Sequence, residues 1–176
     1  MNKKLITIGI LLVMILFATA SYSSEAPDGF QGAKFGMSIE EVKKIARKEG
    51  KICIKETEDN KILMYLFKGV VMGEEIKIEY AFTPISHKFF AIRLFFKDIT
   101  FFRIKTMLVN KYGNPVKKDE FEISEKDMWI FSDVAIFLEE KIIPKAITLG
   151  YMHSTLYKEV RKEIEELDKK KFEGEL

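Results

Sequence analysis

Cysteine is nearly missing from this sequence. Cys53 is the only one in 176 residues, so no intramolecular disulfide can form. It also lies far downstream of the apolar run near the N-terminus. A lipid anchor needs a cysteine just after such a run, so lipid anchoring is not expected. Histidine is scarce as well, with His87 and His153 alone, and the spacings HxxxH, HExxH and CxxC are absent. There is no P-loop and no G-x-G-x-x-G. Gly36-Met37-Ser38 lacks the glycines two residues either side of serine that a nucleophile elbow requires. No internal repeat and no low-complexity tract is visible. These absences remove the familiar nucleotide, zinc and hydrolase motifs. The expectation is a non-enzyme with no metal and no cofactor.

Net charge is also lacking. The whole chain carries 29 Lys and Arg against 27 Asp and Glu, and Lys3 and Lys4 stand in a first stretch that holds no acid. Without residues 1–20 the count is 27 against 27. A neutral chain gives no electrostatic case for nucleic acid or anionic lipid as a partner.

The first twenty residues read as an address. A basic start precedes an uncharged, mostly aliphatic run from Leu5 to Phe17, and Ala18-Thr19-Ala20 offers small residues for cleavage. The uncharged run is shorter than the ~20 residues that span a bilayer. A cleaved signal peptide over 1–20 is therefore expected, with the periplasm or the cell exterior as destination and no stable membrane anchor afterwards. Residues 21–31 read as a flexible lead-in, 32–168 as a single domain and 169–176 as a frayed charged tail.

What is present is a globular composition: 47% hydrophobic and 32% charged residues, with 15 phenylalanines. The stretch from His87 to Asp98 organises the rest. Alternation puts Phe90, Ile92, Leu94 and Phe96 on one side of a strand and Phe89, Ala91, Arg93 and Phe95 on the other. Ahead of it, Ser38 and Glu41 fit a capping box for a helix over 39–49 that Gly50 stops. Strands are expected at 51–56, 61–67, 74–82 and 88–96. Asp98 is the expected cap of a second helix over 99–112, ended by Gly113-Asn114-Pro115. Residues 116–126 read as a charged loop, followed by strands at 127–131, 134–140 and 146–152. A last helix starts near Ser154 with the stripe Leu156, Val160, Ile164 and Leu167. The order α-β-β-β-β-α-β-β-β-α makes an α+β fold, a largely antiparallel sheet with helices packed on one face.

Few side chains stand out as candidates. Arg93 is a charge in an apolar strand and needs a partner or an exit; a contact to an anionic ligand is its functional reading. Phe89 and Phe95 would need a cover if their face of the sheet is bare. Trp129, beside Phe131, is either a core aromatic or a ligand platform. Cys53 reads as a buried thiol, with Lys51 and Lys55 beside it on the strand; His87 and His153 read as structural or surface residues.

Gly36-Met37-Ser38 followed by Glu40-Glu41-Val42 resembles the helix opening of many small exported bacterial proteins, including BamE-like and beta-lactamase-inhibitor-protein-like domains. The aromatic hairpin, the helix closing on Lys111-Tyr112-Gly113-Asn114-Pro115 and the Trp-bearing strand are similar to an uncharacterised periplasmic family. BamE-like proteins carry a lipid-anchoring cysteine and a shorter helix-helix-sheet layout, so no functional residue is transferred from them. The resemblance implies an exported α+β domain. The expected function is binding to another envelope protein, or to itself, or assistance in assembly. The alternative is a carrier of a small apolar molecule or lipid in a Phe-rich pocket.

Overall fold

The computed structural model describes residues 25–121, 124–141 and 145–174. The expected leader over 1–20 lies outside the described residues. Residues 21–24 of the expected lead-in also lie outside the described residues, and its last part is structured. Gly29–Phe30 (β1) and Ala33–Lys34 (β2) already form a small hairpin across Gln31-Gly32, both at positive φ. Two positive-φ residues in sequence make the tight turn that suits right-handed strand twist.

Helix α1 (Ile39–Lys48) forms as its sequence dictates. The Ser38 hydroxyl accepts from the Glu41 amide, and the Glu41 carboxylate accepts from the Ser38 amide at 2.9 Å. The Ser38 amide, and the Ser38 hydroxyl donating to the same carboxylate at 2.7 Å, hold the Glu41 carboxyl below the usual glutamate range. Val42 and Ala46 are its buried stripe.

Strands β3 (Ile52–Asp59), β4 (Ile62–Val71), β5 (Glu74–Phe82) and β6 (Phe89–Phe96) follow as an antiparallel meander. Asn60-Lys61 and Met72-Gly73 are again two-residue turns at positive φ. They let β3 run to Asp59 and β4 to Val71, longer than alternation alone indicates. Helix α2 (Phe101–Tyr112) is capped by Thr100, whose hydroxyl accepts from the Arg103 amide, and not by Asp98. Next come β7 (Lys117–Phe121), β8 (Ser124–Ile130), β9 (Val134–Lys141) and β10 (Ala146–His153). β7 corrects the expected charged loop over 116–126. Its run Lys-Lys-Asp-Glu shows no apolar alternation, and backbone pairing to β8 from Lys117↔Met128 to Phe121↔Ser124 makes it a strand.

Among the described residues the main sheet has eight strands in the order β3-β4-β5-β6-β10-β9-β8-β7, and every neighbouring pair is antiparallel. The α+β class and the antiparallel sheet are as expected. Between the β1–β2 hairpin and the last helix, the described chain is one helix followed by four strands, twice over. The order reads the same outward from the β6–β10 seam in either direction, a repeat that leaves no trace in the sequence.

Helices α1 and α2 cover one face. Val42, Ala46, Phe101, Ile104 and Leu108 pack there on inward residues such as Phe67, Tyr80, Leu94, Ile136 and Leu149. Helix α3 (Ser154–Gly174) departs from the one-sided expectation. Leu156 and Val160 pack with Phe90, Ala81, Ala91 and Met152 on the opposite side. The far end of α3 is tied to turns of the first meander. The Glu163 carboxylate accepts from the Ile85 amide at 2.7 Å and from the Ser86 hydroxyl at 2.6 Å, and Asp168 pairs with Lys61. The helix runs past Asp168 to Gly174, with a Glu166–Lys170 ion pair at 2.7 Å in its last turns.

Two irregularities change which side chains face where. Phe82 pairs with Phe89, yet Ala81 pairs with Ala91, so two residues of β6 oppose one of β5. This β-bulge sends Phe89 to the α1/α2 side and Phe90 to the α3 side, reversing their expected places. A second bulge at Ile54 lies in β3, an edge strand with one unpaired side. That edge position exposes Cys53, where a buried thiol was expected.

Candidate binding face

Among the described residues, the side of the sheet opposite α1 and α2 is covered by α3 only at one end. Strand register fixes what the rest of this open face carries. Met64 stands opposite Ala81, Leu66 opposite Glu79, Glu79 opposite Arg93, and Ala81 opposite Ala91. Beyond the seam, Gly150 stands opposite both Arg93 and Phe137, and Met152 opposite Ala91. Met64, Ala81, Ala91, Phe137 and Met152 are all half-buried. They form an apolar floor between α3 and the middle of the strands, and Tyr157 of α3 stands as its wall.

Gly150 shapes that floor. A Cβ there would lie 1.9 Å from the tip of the Phe137 ring. The ring therefore lies down over the glycine, and glycine is the one residue that permits it. Across the seam, Arg93 is held by a carboxylate. Its Nε donates to Glu79 Oε1 at 2.7 Å, and its Nη2 reaches the same oxygen. The Glu79 side chain is 15% exposed and that of Arg93 46%, so the acid is sunk and the guanidinium stands above it. Arg93 also reaches the Met64 sulfur at 3.7 Å and lies 5.9 Å from the Phe95 ring centre.

Two shallow grooves run over this face, each open to solvent. One, of about 280 Å³, lies against α3 over Met64, Ala91, Phe137 and Met152. The other, of about 410 Å³, lies over Leu66, Phe95 and Ala146 towards the opposite ends of the strands. Glu79 borders both. An apolar trough with a fixed ion pair at its middle can seat a partner and set its register.

Of the candidates read from sequence, Arg93 and Phe95 come together on this face. Phe89 does not. It is fully buried under α1, its ring 5.1 Å from Phe35 and 5.4 Å from Tyr80, because of the bulge. Trp129 is likewise a core residue, with its indole N–H donating to the Gly113 carbonyl at 2.8 Å and fastening the end of α2 to β8. His153 caps α3, its Nδ1 accepting from the Leu156 amide at 3.4 Å, and His87 is an exposed turn residue at positive φ. Among the described residues no group of three or more His, Cys, Asp and Glu side chains is placed to hold a metal ion, and no helix is long and apolar enough to cross a membrane. Sequence reading missed Phe137, Met152, Gly150 and Glu79. A glycine inside a strand is a signal for close approach, and Gly150 carried that signal unused.

Residues 28–163 match the TP0088 domain, and the chain therefore belongs to the TP0088 domain family, an uncharacterised family. No curated protein and no solved structure matches the chain.

Proposed function

We propose that this is an exported, non-enzymatic protein of the bacterial envelope that works by docking another protein on the open face of its sheet. The observation that carries this reading is the bare floor of Met64, Ala81, Ala91, Phe137 and Met152, apolar and half-exposed although α3 stops beside it. Contiguous apolar surface framed by polar groups is a mark of an interaction site. The Arg93–Glu79 pair adds direction, since one partner is sunk and the other is presented. Export rests on Lys3-Lys4, the apolar run to Phe17 and the small residues after it. A carrier role is the less supported reading. Small-ligand sites bury roughly 70–90% of their ligand, and both grooves here are open.

The test is photo-crosslinking in intact cells. A benzophenone amino acid replaces Thr148 on the open face or Phe102 on the outer side of α2. The expected result is one discrete adduct from position 148 and none from 102. Its protein component, identified by mass and purified, then binds the native chain, and Phe137→Ala weakens that binding about tenfold. Equal adducts from both positions, or reconstituted binding indifferent to Phe137, would overturn the proposal.

A further inference from the structure

The end of the open face away from α3 has a chemistry of its own. Its groove is floored by Leu66, Phe95 and Ala146 and rimmed by Lys77, Lys97 and Lys145. All three lysines are exposed, and none has an ion-pair or hydrogen-bond partner among the described residues. Of the acids nearby, Glu139 stands opposite Thr148 and Asp98 follows Lys97, so the three lysines outnumber the free carboxylates among the described residues by one. Two acids on β5 are already engaged. Glu75 is held by Lys68 at 3.0 Å, and Glu79 is held by Arg93. Lys77 also stands directly across the ladder from Lys68. Like charges in that relation repel, and Glu75 relieves Lys68 only. The chain beyond its first twenty residues is neutral, so this excess of positive charge is local.

We infer that Lys77, Lys97 and Lys145 form an anion-receiving subsite, and that the docked partner is a protein segment carrying acidic side chains next to apolar ones. This rests on the docking reading above. The two grooves lie along β10 from Met152 to Ala146, a span of about 20 Å at ~3.3 Å per residue. An extended segment of roughly seven residues covers it. Its apolar side chains lie over Phe137 and Met152 beside Tyr157, and its carboxylates lie over the three lysines. A lipid surface fits less well. The floor is half-buried below the exposed lysine heads, and α3 stands up at the other end. A flat plane resting on the lysines misses the floor that a single chain can follow.

The probe is a fluorescein-labelled decapeptide with three glutamates at one end and alternating Leu and Phe at the other, titrated into the purified mature protein. A counterpart has lysine for each glutamate. The acidic peptide is expected to bind at least about tenfold more tightly than the basic one, to weaken with added salt, and to shift the NMR signals of Phe95 and Phe137. The combined Lys77→Glu, Lys97→Glu and Lys145→Glu variant is expected to reverse that preference. These side chains are exposed, and the Lys→Gln triple variant, expected to lose the preference without reversing it, controls for folding. No difference between the two peptides would overturn the subsite. So would binding to phosphatidylglycerol vesicles that the triple variant loses while the peptides are indifferent; that result makes the lysines a lipid contact. If the partner crosslinked at position 148 binds the triple variant with native affinity, the docking face stands and the acidic segment falls.

Discussion

At the scale of single residues, two positions set the local chemistry. Gly150 exists so that Phe137 can lie flat, and the close approach at 1.9 Å leaves no room for a methyl group. Gly150→Ala is expected to lower stability by roughly 1–3 kcal/mol, the usual range for overpacking. In the background of Phe137→Ala the same change is expected to cost far less, because the ring it displaces is gone. A double-mutant cycle in chemical denaturation reads the coupling, and simple additivity would refute the contact. Lys51 is the opposite case, a charge in the wrong surroundings. It is 4% exposed, it packs across Gly69, and its Nζ has no hydrogen-bond partner among the described residues. Burial pushes its pKa below the ordinary lysine value, against a weaker pull from Glu49. The unfolded chain therefore binds the proton more readily, and stability rises with pH towards the unfolded lysine range. Lys51→Met is expected to be more stable than the native chain at pH 7 by about 1–3 kcal/mol. That advantage shrinks as the pH approaches ~10.4, and melts across that range check both halves of the statement.

At the scale of elements, α3 needs explanation, because its apolar stripe is narrow and most of its surface is charged. What positions it is a set of polar ties to turns. Burial alone would raise the Glu163 pKa, but the Ser86 hydroxyl, the Ile85 and Ser86 amides and nearby Lys88 outweigh it and hold the carboxyl below the ordinary glutamate range. A lowered folded pKa gives stability that is complete above the unfolded carboxyl range and is lost as pH falls through the folded value. Glu163→Gln is expected to cost about 1 kcal/mol at pH 7, discounted for partial exposure. The gap to the native chain should narrow progressively as the pH falls below the ordinary glutamate value of ~4.3. Parallel denaturant titrations at neutral and acid pH measure this. A gap that does not narrow at all as the pH falls below the ordinary carboxyl range would show that the carboxylate is not the tie. The buried side of α2 is held differently. Lys105 lies between Asp127 at 2.8 Å and Glu125 at 3.0 Å. Burial works against its charge, but the hydrogen bonds to those carboxylates outweigh burial and leave its pKa raised.

At the scale of the whole molecule, two helix-plus-four-strand halves meet at the β6–β10 seam. One face of their shared sheet is closed by α1 and α2, and the other is largely bare among the described residues. Much of the scaffold was legible in the sequence because it is written in local chemistry. Ser38 and Glu41 announce α1, Gly113-Asn114-Pro115 ends α2, and alternation over 74–82 gives β5 its bounds. β7 was not legible, since an edge strand held by backbone pairing needs no apolar period. The placement of α3 was not legible either, because a stripe such as Leu156 and Val160 says that a helix packs but not on which face. Of the site, Arg93 was found as a charge in an apolar strand, and Phe95 because its face of the sheet would need a cover if bare. Phe89 was misplaced by a one-residue bulge, which no period-two reading detects. Phe137 and Met152 come from the second half of the chain and reach the face only through the seam.

One measurement tests the central claim most directly: thiol accessibility of the open face in cells whose outer membrane has been permeabilised. In a Cys53→Ser background, Thr148→Cys reports on the open face and Phe102→Cys on the outer side of α2. Each is produced at native level and labelled with a membrane-impermeant maleimide after outer-membrane permeabilisation, then compared with the same variant in purified form. The account predicts that position 148 labels readily in the purified protein and is protected in cells, while position 102 labels equally in both. Equal labelling of position 148 in cells and in isolation would contradict it, because the open face would then have no occupant where the protein works.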